Sequence, residues 1–492
     1  MNAPQAFRDR ARTKIVATLG PACREEEAQA ALVAAGVDVF RLNMAHGSRE
    51  EHEAALRSIR RIEERMHHPI GVLVDLSGPK IRLGDLPEGS IQCQSGEEFF
   101  FVDAAASDKP NELTSTYEGL TRELSAGDSI MLADGTVTMV VQEREPGRVR
   151  ASVTQPGIIR SRQGINLPGV HLNVPALDED DRANAEWAAR EGVDFIGLSF
   201  VRAPEDVGAL KDILRSVGSS VHVVAKIEKR EALQRLEPIV EAADAVMVAR
   251  GDLGVEIDVA EMALEQKRII KTCRIYQKPV IIATQMLDSM QNSSRPTRAE
   301  ATDVANAILD GADACMLSGE TAIGRYPREA VSMMNRIALV TERSLKGRVP
   351  EKPFDNSRSP VHDITRGVVH GACQMAHELD AKLVVVASHS GRTALALSQH
   401  RSTIPTIGVS SSQETLRKMC LYWGVTPLEG APARDIEKLI QHADAWGCRV
   451  GQLTPGDRIV IVGGSHLTAG PDDTRMAGGV HDVVIVHEVE GK

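Results

Sequence analysis

Four segments of the chain share one pattern: GVDVFRLN (36–43), GVDFIGLS (192–199), AADAVMVARGD (242–252) and GADACMLSGE (311–320). In each, a helical stretch ends at a small residue, an Asp follows, and a short apolar run stops at polar groups. Runs of a second type alternate with them: TKIVATLG (13–20), HPIGVLVD (68–75), SVHVVAKIE (220–228) and KPVIIATQ (278–285). Strands buried on both faces of a parallel sheet are rich in Val and Ile in this way. Eight such runs alternating with helices predict an α/β fold, a (β/α)8 TIM barrel built from two-strand units.

The barrel pattern is interrupted after its third strand and ends well before the chain does. From 83 to 174, short alternating segments and turn dipeptides such as Asp134-Gly135 predict a small inserted β-barrel that could act as a lid over the mouth. After a proline-containing linker, runs such as KLVVVAS alternate with helices, as in an open α/β sheet. The predicted domains are barrel, first part, 1–82; lid, 83–174; barrel, second part, 175–346; and a C-terminal α/β regulatory domain, 347–492.

Composition limits the class of partner. The 492 residues include 57 Lys and Arg against 68 Asp and Glu, a net charge of -11, and only 3% are aromatic, which argues against a nucleic-acid binder. No apolar run approaches the roughly 20 residues that span a bilayer, and the first residues lack the apolar core of a signal peptide. The seven cysteines are scattered, without a disulfide or zinc pattern. We therefore expect a cytoplasmic protein that binds neither nucleic acid nor membrane.

Polar residues stand where most of the barrel strands end. The C-terminal strand ends of such a barrel converge on one mouth, so side chains of different strands can act together there. Seven strands end at Arg41 and Asn43, Asp75, Ser199, Lys226 and Glu228, Arg250 and Asp252, Thr284 and Gln285, and Ser318 and Glu320. Any one of these alone could be a solvated strand end. Their recurrence over seven strands indicates a functional site.

The residue types at the mouth point to phosphate chemistry with a metal. Glu228 and Asp252, on adjacent strands, suit a hard cation such as Mg²⁺, which is usually held by one or two carboxylates with substrate and water. Arg41, Arg82 and Lys226 could surround a phosphate or a developing oxyanion.

The turn at 250–254, RGDLG, lets the backbone approach a ligand closely, and its N–H groups could hold a carboxylate. The chain has neither a G-x-x-x-x-G-K-[ST] loop nor a kinase-type glycine-rich loop. Phosphoryl transfer would therefore depend on the barrel's own positioning groups and metal.

At these residues the chain resembles the pyruvate kinase family, over essentially its whole length. The motifs that carry the resemblance are TKIVATLGP (13–21), FRLNMAHG (40–47), GINLPG (164–169), AKIEKREAL (225–233), VARGDLGVEI (248–257), ATQMLDSM (283–290) and MLSGETAIGRYP (316–327). The resemblance implies a glycolytic phosphotransferase that moves the phosphoryl group of phosphoenolpyruvate to ADP, giving pyruvate and ATP. It also implies the three-domain layout with a lid after the third strand.

The resemblance implies a role for each matching residue. The catalytic residues would be Lys226, Arg41, Thr284, Ser318 and Glu320, the last two forming a polar relay that protonates the enolate carbon. The substrate-binding residues would be Arg41, Lys226, Gly251, Asp252 and Thr284. The nucleotide phosphates would face Asn43, His46 and Arg82. Glu228 and Asp252 would hold Mg²⁺ or Mn²⁺.

One departure from the family concerns K⁺. Many members hold K⁺ with Asn, Ser, Asp and Thr, but here Asn43 and Asp75 remain while Ala45 and Leu76 carry no side-chain oxygen. Lys80 stands where the family usually has a glutamate. We interpret Asn43 and Asp75 as a vestigial monovalent-cation site in which the Lys80 ammonium takes the place of K⁺, so K⁺ is not required. The alternative is that Lys80 is an incidental surface lysine.

The last domain carries SHSGRTA (388–394) between a strand and a helix. Hydroxyls, a glycine, an arginine and free helix N–H groups make a plausible phosphate cradle, and the loop is similar to the effector-phosphate loop of regulated family members. We expect a phosphorylated allosteric activator to bind at Ser388, Ser390, Gly391, Arg392 and Thr393, with the loop at 463–475 able to close over it. A plain strand-to-helix turn is the alternative.

Two other functions stay open at this point. One is another barrel enzyme that uses phosphoenolpyruvate and a divalent metal, such as a mutase or an aldol-type lyase. The other is a metabolite sensor that kept the scaffold and lost the chemistry. The family is typically a homotetramer, which is the expected assembly here.

Overall fold

The fold consists of a barrel, a lid and a third domain, seen in a computed structural model that describes residues 10–79, 81–133, 135–170, 173, 175–345, 361–432, 435–464 and 482–490. Lys80, Asp134 of the predicted lid turn, and most of the 463–475 loop lie outside the described residues. No helix within the described ranges has the length and apolar character needed to cross a membrane.

Eight parallel strands close the barrel in the order β1-β16-β15-β14-β13-β12-β3-β2. They are β1 (Lys14–Thr18), β2 (Val39–Asn43), β3 (Gly71–Asp75), β12 (Phe195–Leu198), β13 (His222–Ile227), β14 (Ala245–Ala249), β15 (Val280–Ala283) and β16 (Ala314–Leu317). Nearly every residue in them is buried, which is why the sequence shows continuous apolar runs rather than alternation. The predicted TIM barrel is confirmed.

An aspartate just before every second strand joins the strands in pairs, and three of the four, Asp38, Asp194 and Asp313, are buried. Each of the four accepts a hydrogen bond from a backbone N–H at the start of the preceding strand, at 2.8–2.9 Å: Asp38 from Ile15, Asp194 from Val72, Asp244 from Val223, and Asp313 from Val280. These are the aspartates of the four repeated segments. We call each of these aspartates, with the backbone N–H that it accepts from, a strand clamp. The four clamps explain why the chain alternates between two kinds of strand.

The barrel helices follow the sequence signals for their ends. They are α1 (Glu26–Ala35), α2 (Arg49–Met66), α4 (Glu179–Arg190), α5 (Pro204–Ser216), α6 (Arg230–Gln234), α7 (Leu236–Ala242), α8 (Arg250–Glu256), α9 (Met262–Ile275), α10 (Arg298–Asp310), α11 (Gly319–Ala322) and α12 (Pro327–Arg343), with α3 (Leu120–Glu123) in the lid. Short 3₁₀ turns occupy Pro21–Cys23, Val259–Glu261 and Asp288–Gln291. Thr297 and Glu300 form the predicted capping box of α10, which ends at Gly311 with φ +104°.

The lid is a separate all-β unit. Its strands are β4 (Ser90–Cys93), β5 (Glu98–Val102), β6 (Glu112–Leu113), β7 (Ser129–Leu132), β8 (Val137–Glu145), β9 (Arg148–Gln155), β10 (Gly157–Arg160) and β11 (Ile165–Asn166). They pair as a six-stranded sheet, β11-β7-β8-β9-β5-β6, and a two-stranded sheet, β10-β4, over one apolar core that includes Phe99 and Phe101. Alternation of buried and exposed residues along β8 and β9 matches a sheet with one face on that core.

The third domain is a five-stranded sheet in the order β19-β18-β17-β20-β21. Its strands are β17 (Leu383–Ala387), β18 (Thr406–Val409), β19 (Val425–Pro427), β20 (Arg458–Gly464) and β21 (Asp482–Glu488), the last antiparallel to β20. Its helices are α13 (Asp363–Glu378), α14 (Arg392–Gln399), α15 (Gln413–Met419) and α16 (Ile436–Arg449). The sequence does not predict β19, because three residues ending in Pro lack the pattern of a strand.

The third domain closes the barrel end opposite the mouth. Cys420 and Leu421, just after α15, belong to the same apolar cluster as the first inward-facing residues of the barrel strands. Lys14, the first residue of β1, donates to the carbonyl of Val425 at 2.8 Å, and Arg417 pairs with Glu63 of α2 at 2.8 Å. The barrel core is thus completed by side chains from another domain.

Candidate active site

Five polar side chains from four neighbouring strands, β2, β3, β12 and β13, meet at the barrel mouth. The Lys226 amine lies 2.8 Å from Glu228 Oε1 and 3.2 Å from Asp75 Oδ1, and it donates to Ser199 Oγ at 2.7 Å. The other oxygen of Asp75 accepts from Arg41 Nε at 2.7 Å. These five side chains form the mouth cluster, and all except Arg41 are buried.

The charges in the mouth cluster stabilise one another. Burial alone lowers the pKa of the Lys226 amine, but Asp75 and Glu228 outweigh it and raise that pKa above its ordinary value. Burial raises the pKa of Asp75, yet Lys226 and Arg41 outweigh it and hold the pKa below its usual range. The amine is therefore a fixed positive charge at the mouth.

Glu228 and Asp252 are the two carboxylates at the mouth that could hold a divalent cation. Burial raises the pKa of Glu228, Lys226 lowers it, and the negative charge of nearby Asp252 raises it further. Asp252 is partly exposed in the first turn of α8. Among the described residues no group of three or more His, Cys, Asp or Glu could hold a metal. Two carboxylates suit a hard divalent cation that takes its other ligands from water and substrate, rather than a metal enclosed by protein ligands.

Strained backbone places Thr284 beside the α8 turn. Thr284 has φ +67° and Gln285 has φ +56°, a left-handed conformation that is costly for a β-branched residue such as Thr. The Thr284 hydroxyl accepts from the N–H of Gly251 at 2.7 Å, and Arg250 donates to the Thr284 carbonyl at 2.8 Å. Arg250 is itself held by Asp303 at 2.6 Å. These contacts hold the strained turn at Thr284 in place.

The Glu320 carboxylate connects the segments that follow β15 and β16. Its buried carboxylate accepts from the N–H of Leu287 at 3.0 Å and from the N–H of Ser318 at 2.7 Å, and burial raises its pKa. Ser318 Oγ is buried and has no hydrogen-bond partner within the described part of the chain. Glu320 therefore positions the segment after β15 as well as the end of β16.

The residues predicted to face the nucleotide lie outside the mouth cluster. Asn43 Oδ1 accepts from the N–H of Ala45 at 3.3 Å, and His46 is exposed in the same loop. Arg82 donates to the carbonyl of Arg162 at 3.3 Å, and its backbone bridges Gly164, so it pairs with the lid.

The predicted effector loop forms the start of α14. Gly391 has φ +82°, which favours glycine, and it precedes Arg392, the exposed first residue of the helix. Thr415 Oγ1 donates to the carbonyl of His389 at 2.8 Å, which fixes the loop against α15, while Ser388 is buried. Ser390 is exposed and Thr393 is buried.

Sequence reasoning missed two contacts at the mouth. Ser199 stands at a predicted strand end, but nothing in the sequence shows that its hydroxyl accepts from Lys226. The N–H of Phe200 donates to Glu228 Oε2 at 2.7 Å, from a backbone with φ +54°. A backbone amide has no residue-type signal, so only the fold could reveal it.

Comparison with known proteins shows the family to which the chain belongs. Residues 10–331 match the family model described as pyruvate kinase, barrel domain, and residues 366–475 match pyruvate kinase, alpha/beta domain. Relatives named pyruvate kinase are 40% identical in Staphylococcus epidermidis (92% of this chain, 77% of the relative), Corynebacterium glutamicum (95% and 99%) and Mycobacterium tuberculosis (92% and 95%). The crystal structure of a pyruvate kinase from Cryptosporidium parvum superposes with a TM-score of 0.87 at 30% identity, covering 99% of this chain and 97% of that one. With its closed barrel, third domain and mouth cluster, the chain belongs to the pyruvate kinase family.

Proposed function

We propose that this phosphotransferase uses the mouth cluster to move the phosphoryl group of phosphoenolpyruvate to ADP, with Glu228 and Asp252 holding the divalent cation. The bond from the enol oxygen to phosphorus breaks, and a bond from a terminal ADP oxygen to phosphorus forms. The enolate that remains takes a proton on carbon and becomes pyruvate. When bound, the divalent cation neutralises negative charge on the substrate oxygens.

Lys226 and Arg41 act on the charge that moves during this reaction. The Lys226 amine, positively charged and fixed by three partners, stabilises the enolate oxygen and the transferring phosphoryl group. Arg41 approaches from β2 and binds the phosphoryl oxygens. Gly251, Asp252 and Thr284 position the rest of the substrate, and Ser318 with Glu320 serves the protonation step. The single observation behind the proposal is the Lys226 amine held between Asp75 and Glu228.

Replacement of Lys226 tests the proposal. Lys226→Met keeps the length of the side chain and removes its charge, and we expect kcat to fall by about 10²-fold to 10³-fold, as for other lost electrostatic donors. Lys229→Met is the matched control, because Lys229 pairs with Glu256 at 2.6 Å, outside the mouth cluster. Coupled assay of ADP-dependent pyruvate release measures both variants. An unchanged kcat in Lys226→Met would refute the assignment.

We further propose that the reaction does not require K⁺. The two oxygens of Asp75 face Lys226 and Arg41, while Ala45 and Leu76 supply no side-chain oxygen. Lys80, which we propose as the substitute charge, lies outside the described residues. Activity in tetramethylammonium buffer should lie within about twofold of activity in K⁺, and a strict K⁺ requirement would contradict the proposal.

A homotetramer with a phosphorylated activator completes the proposal. Val259 and Leu264, on the 3₁₀ turn and the helix that follow α8, are 78% and 68% exposed, which supports burial of this face in an assembly. The 388–394 loop offers hydroxyls and an exposed Arg392 to a phosphate. Light scattering should give a mass of about four chains of 53.2 kDa, and a mass of one chain would refute the tetramer.

A further inference from the structure

The four strand clamps differ in the source of their counter-charge. The direct ion pairs of three clamp aspartates come from the barrel side: Asp38 with Arg10 and Lys14 at 3.4 Å, Asp194 with Arg60 at 3.0 Å, and Asp244 with Lys211 at 2.8 Å. The fourth aspartate, Asp313, instead pairs with Arg401 of the third domain at 3.0 Å, and its same oxygen accepts from Gln399 of that domain at 3.2 Å. One clamp of the barrel is thus completed by another domain.

Several contacts hold Arg401 beside Asp313. Arg401 follows His400, the residue that caps the end of α14, with a left-handed backbone at φ +54°, and its guanidinium lies 5.0 Å from the ring centroid of Trp423. The same guanidinium donates to the carbonyl of Gly311 at 2.7 Å, so it contacts the chain on both sides of Ala312. The positive charge of Arg274, on α9 of the barrel, also acts on Asp313. Because Asp313 has no exposed surface, loss of Arg401 would leave a buried carboxylate without its direct ion pair.

Asp313 is the first link of a short path to the mouth. It directly precedes β16, a strand paired on both sides, and Ser318 follows that strand about 16 Å away. Beyond Ser318, the Glu320 carboxylate holds the N–H of Leu287. That contact fixes the strained segment containing Thr284.

We propose that Arg401 is a positioning residue for the phosphoryl-transfer reaction: through Asp313 it sets the position of β16, and through Glu320 that of the Thr284 turn. Arg401 touches neither substrate nor metal. Because Arg401 positions these segments, its removal lowers kcat by more than the accompanying loss of stability alone would. Since α14 begins at Arg392 and ends next to Arg401, the same path reaches the predicted effector loop. That extension rests on the effector proposal, whereas the positioning role does not.

The test compares two arginines at the same domain junction. Arg401→Ala removes the direct pair to Asp313, whereas Arg417→Ala removes a direct pair to Glu63, on a barrel helix. The charge of Arg417 also acts on the clamp aspartate Asp194, but that aspartate keeps its direct pair with Arg60 in the Arg417→Ala variant. We expect Arg401→Ala to lower kcat at least fivefold, with Arg401→Lys restoring at least half of the parent kcat. Arg417→Ala should stay within twofold of the parent. Thermal midpoints of both Ala variants serve as the measure of stability.

The outcomes separate positioning from stability. If Arg401→Ala keeps kcat within twofold of the parent, or if both Ala variants lose kcat in proportion to their thermal midpoints, the proposal is wrong. Should Arg401→Ala not fold, Gln399→Leu is the milder variant, because it removes one donor to Asp313 and keeps the ion pair with Arg401. A kcat of Gln399→Leu at least twofold below that of the parent supports the proposal. An unchanged kcat overturns it. Activation by a hexose monophosphate, a hexose bisphosphate and AMP is measured in parallel. Absence of activation in the parent refutes the effector proposal alone.

Discussion

Asp75→Asn removes one charge from the centre of the mouth cluster and keeps the size of the side chain. Asp75 is the anion shared by Arg41 at 2.6 Å and Lys226 at 3.2 Å. At an effective dielectric constant of about 20, one such contact corresponds to roughly 5 kcal/mol of Coulomb attraction, and breaking a buried pair typically costs about 3–5 kcal/mol. We therefore expect a loss of about 3 kcal/mol in stability, together with mutual repulsion of two cations that the reaction needs in place.

Activity is expected to fall more than stability. With the shared anion gone, Arg41 and Lys226 no longer hold their positions around the phosphoryl group, so kcat should fall by about 10²-fold or more. Steady-state kinetics of pyruvate release and thermal unfolding measure the two effects separately. Asp194→Asn is the control, because Asp194 is an equally buried barrel aspartate that pairs with Arg60 at 3.0 Å, at the opposite end.

The same variant distinguishes two roles for Asp75. If Asp75 is the counter-charge of Arg41 and Lys226, added K⁺ should not restore the lost activity. If Asp75 is chiefly a K⁺ ligand, the loss should depend on the K⁺ concentration. A kcat within threefold of the parent, or equal losses of kcat in Asp75→Asn and Asp194→Asn, would refute the reasoning.

Three further predictions concern other parts of the chain. Thr284→Val removes the hydroxyl that accepts from the Gly251 N–H, and leaving that donor unpaired should raise KM for phosphoenolpyruvate about tenfold, measured by steady-state kinetics; an unchanged KM contradicts the positioning role. Arg392→Ala should abolish activation by phosphorylated metabolites and leave the unactivated rate unchanged, so activation that survives in the variant contradicts the site. Burial lowers the pKa of His400 to about 4, so the folded state disfavours the protonated imidazole. The free energy of unfolding therefore has its full value above about pH 6.5, and it decreases by about 3 kcal/mol as the pH drops from 6.5 towards 4. His400→Leu should show a smaller loss over that range in thermal unfolding, and an identical pH dependence would exclude His400 as a cause.

The sequence predicts the barrel strands because each is buried on both faces and therefore carries a continuous apolar run. It also predicts the capping box at Thr297, since capping depends on residues three apart. Contacts between distant segments leave no such local trace. The pairing of Arg401 with Asp313 joins residues 88 positions apart, and no periodicity connects them.

At the mouth too, the sequence predicts which residues are candidates but not how residues distant in the chain contact one another. A charged residue after an apolar run marks Lys226 and Glu228 as candidates, and parallel strands guarantee that their ends lie on one side. The sequence does not indicate that Asp75 lies between two cations, because that depends on the order in which the barrel closes. The family resemblance predicts that Arg82 faces the nucleotide phosphates, but it does not show the contact of Arg82 with the lid carbonyl of Arg162.

The balance of charge at the mouth gives a physical reason for the divalent cation. Among the described residues of the mouth, three carboxylates, Asp75, Glu228 and Asp252, stand against two cations, Arg41 and Lys226, which gives these five groups a net charge of about −1 if all are ionised. Such a site repels an anionic substrate. A divalent cation held, as we propose, by Glu228 and Asp252 would make this net charge about +1 and would favour phosphate instead. Because Asp75 and Glu228 fix Lys226 beforehand, the protein does not have to move its own charges when the substrate arrives. The two carboxylates on either side of Lys226 therefore lower the attraction for substrate when the metal is absent, and they supply the rigidity on which the reaction depends when it is present.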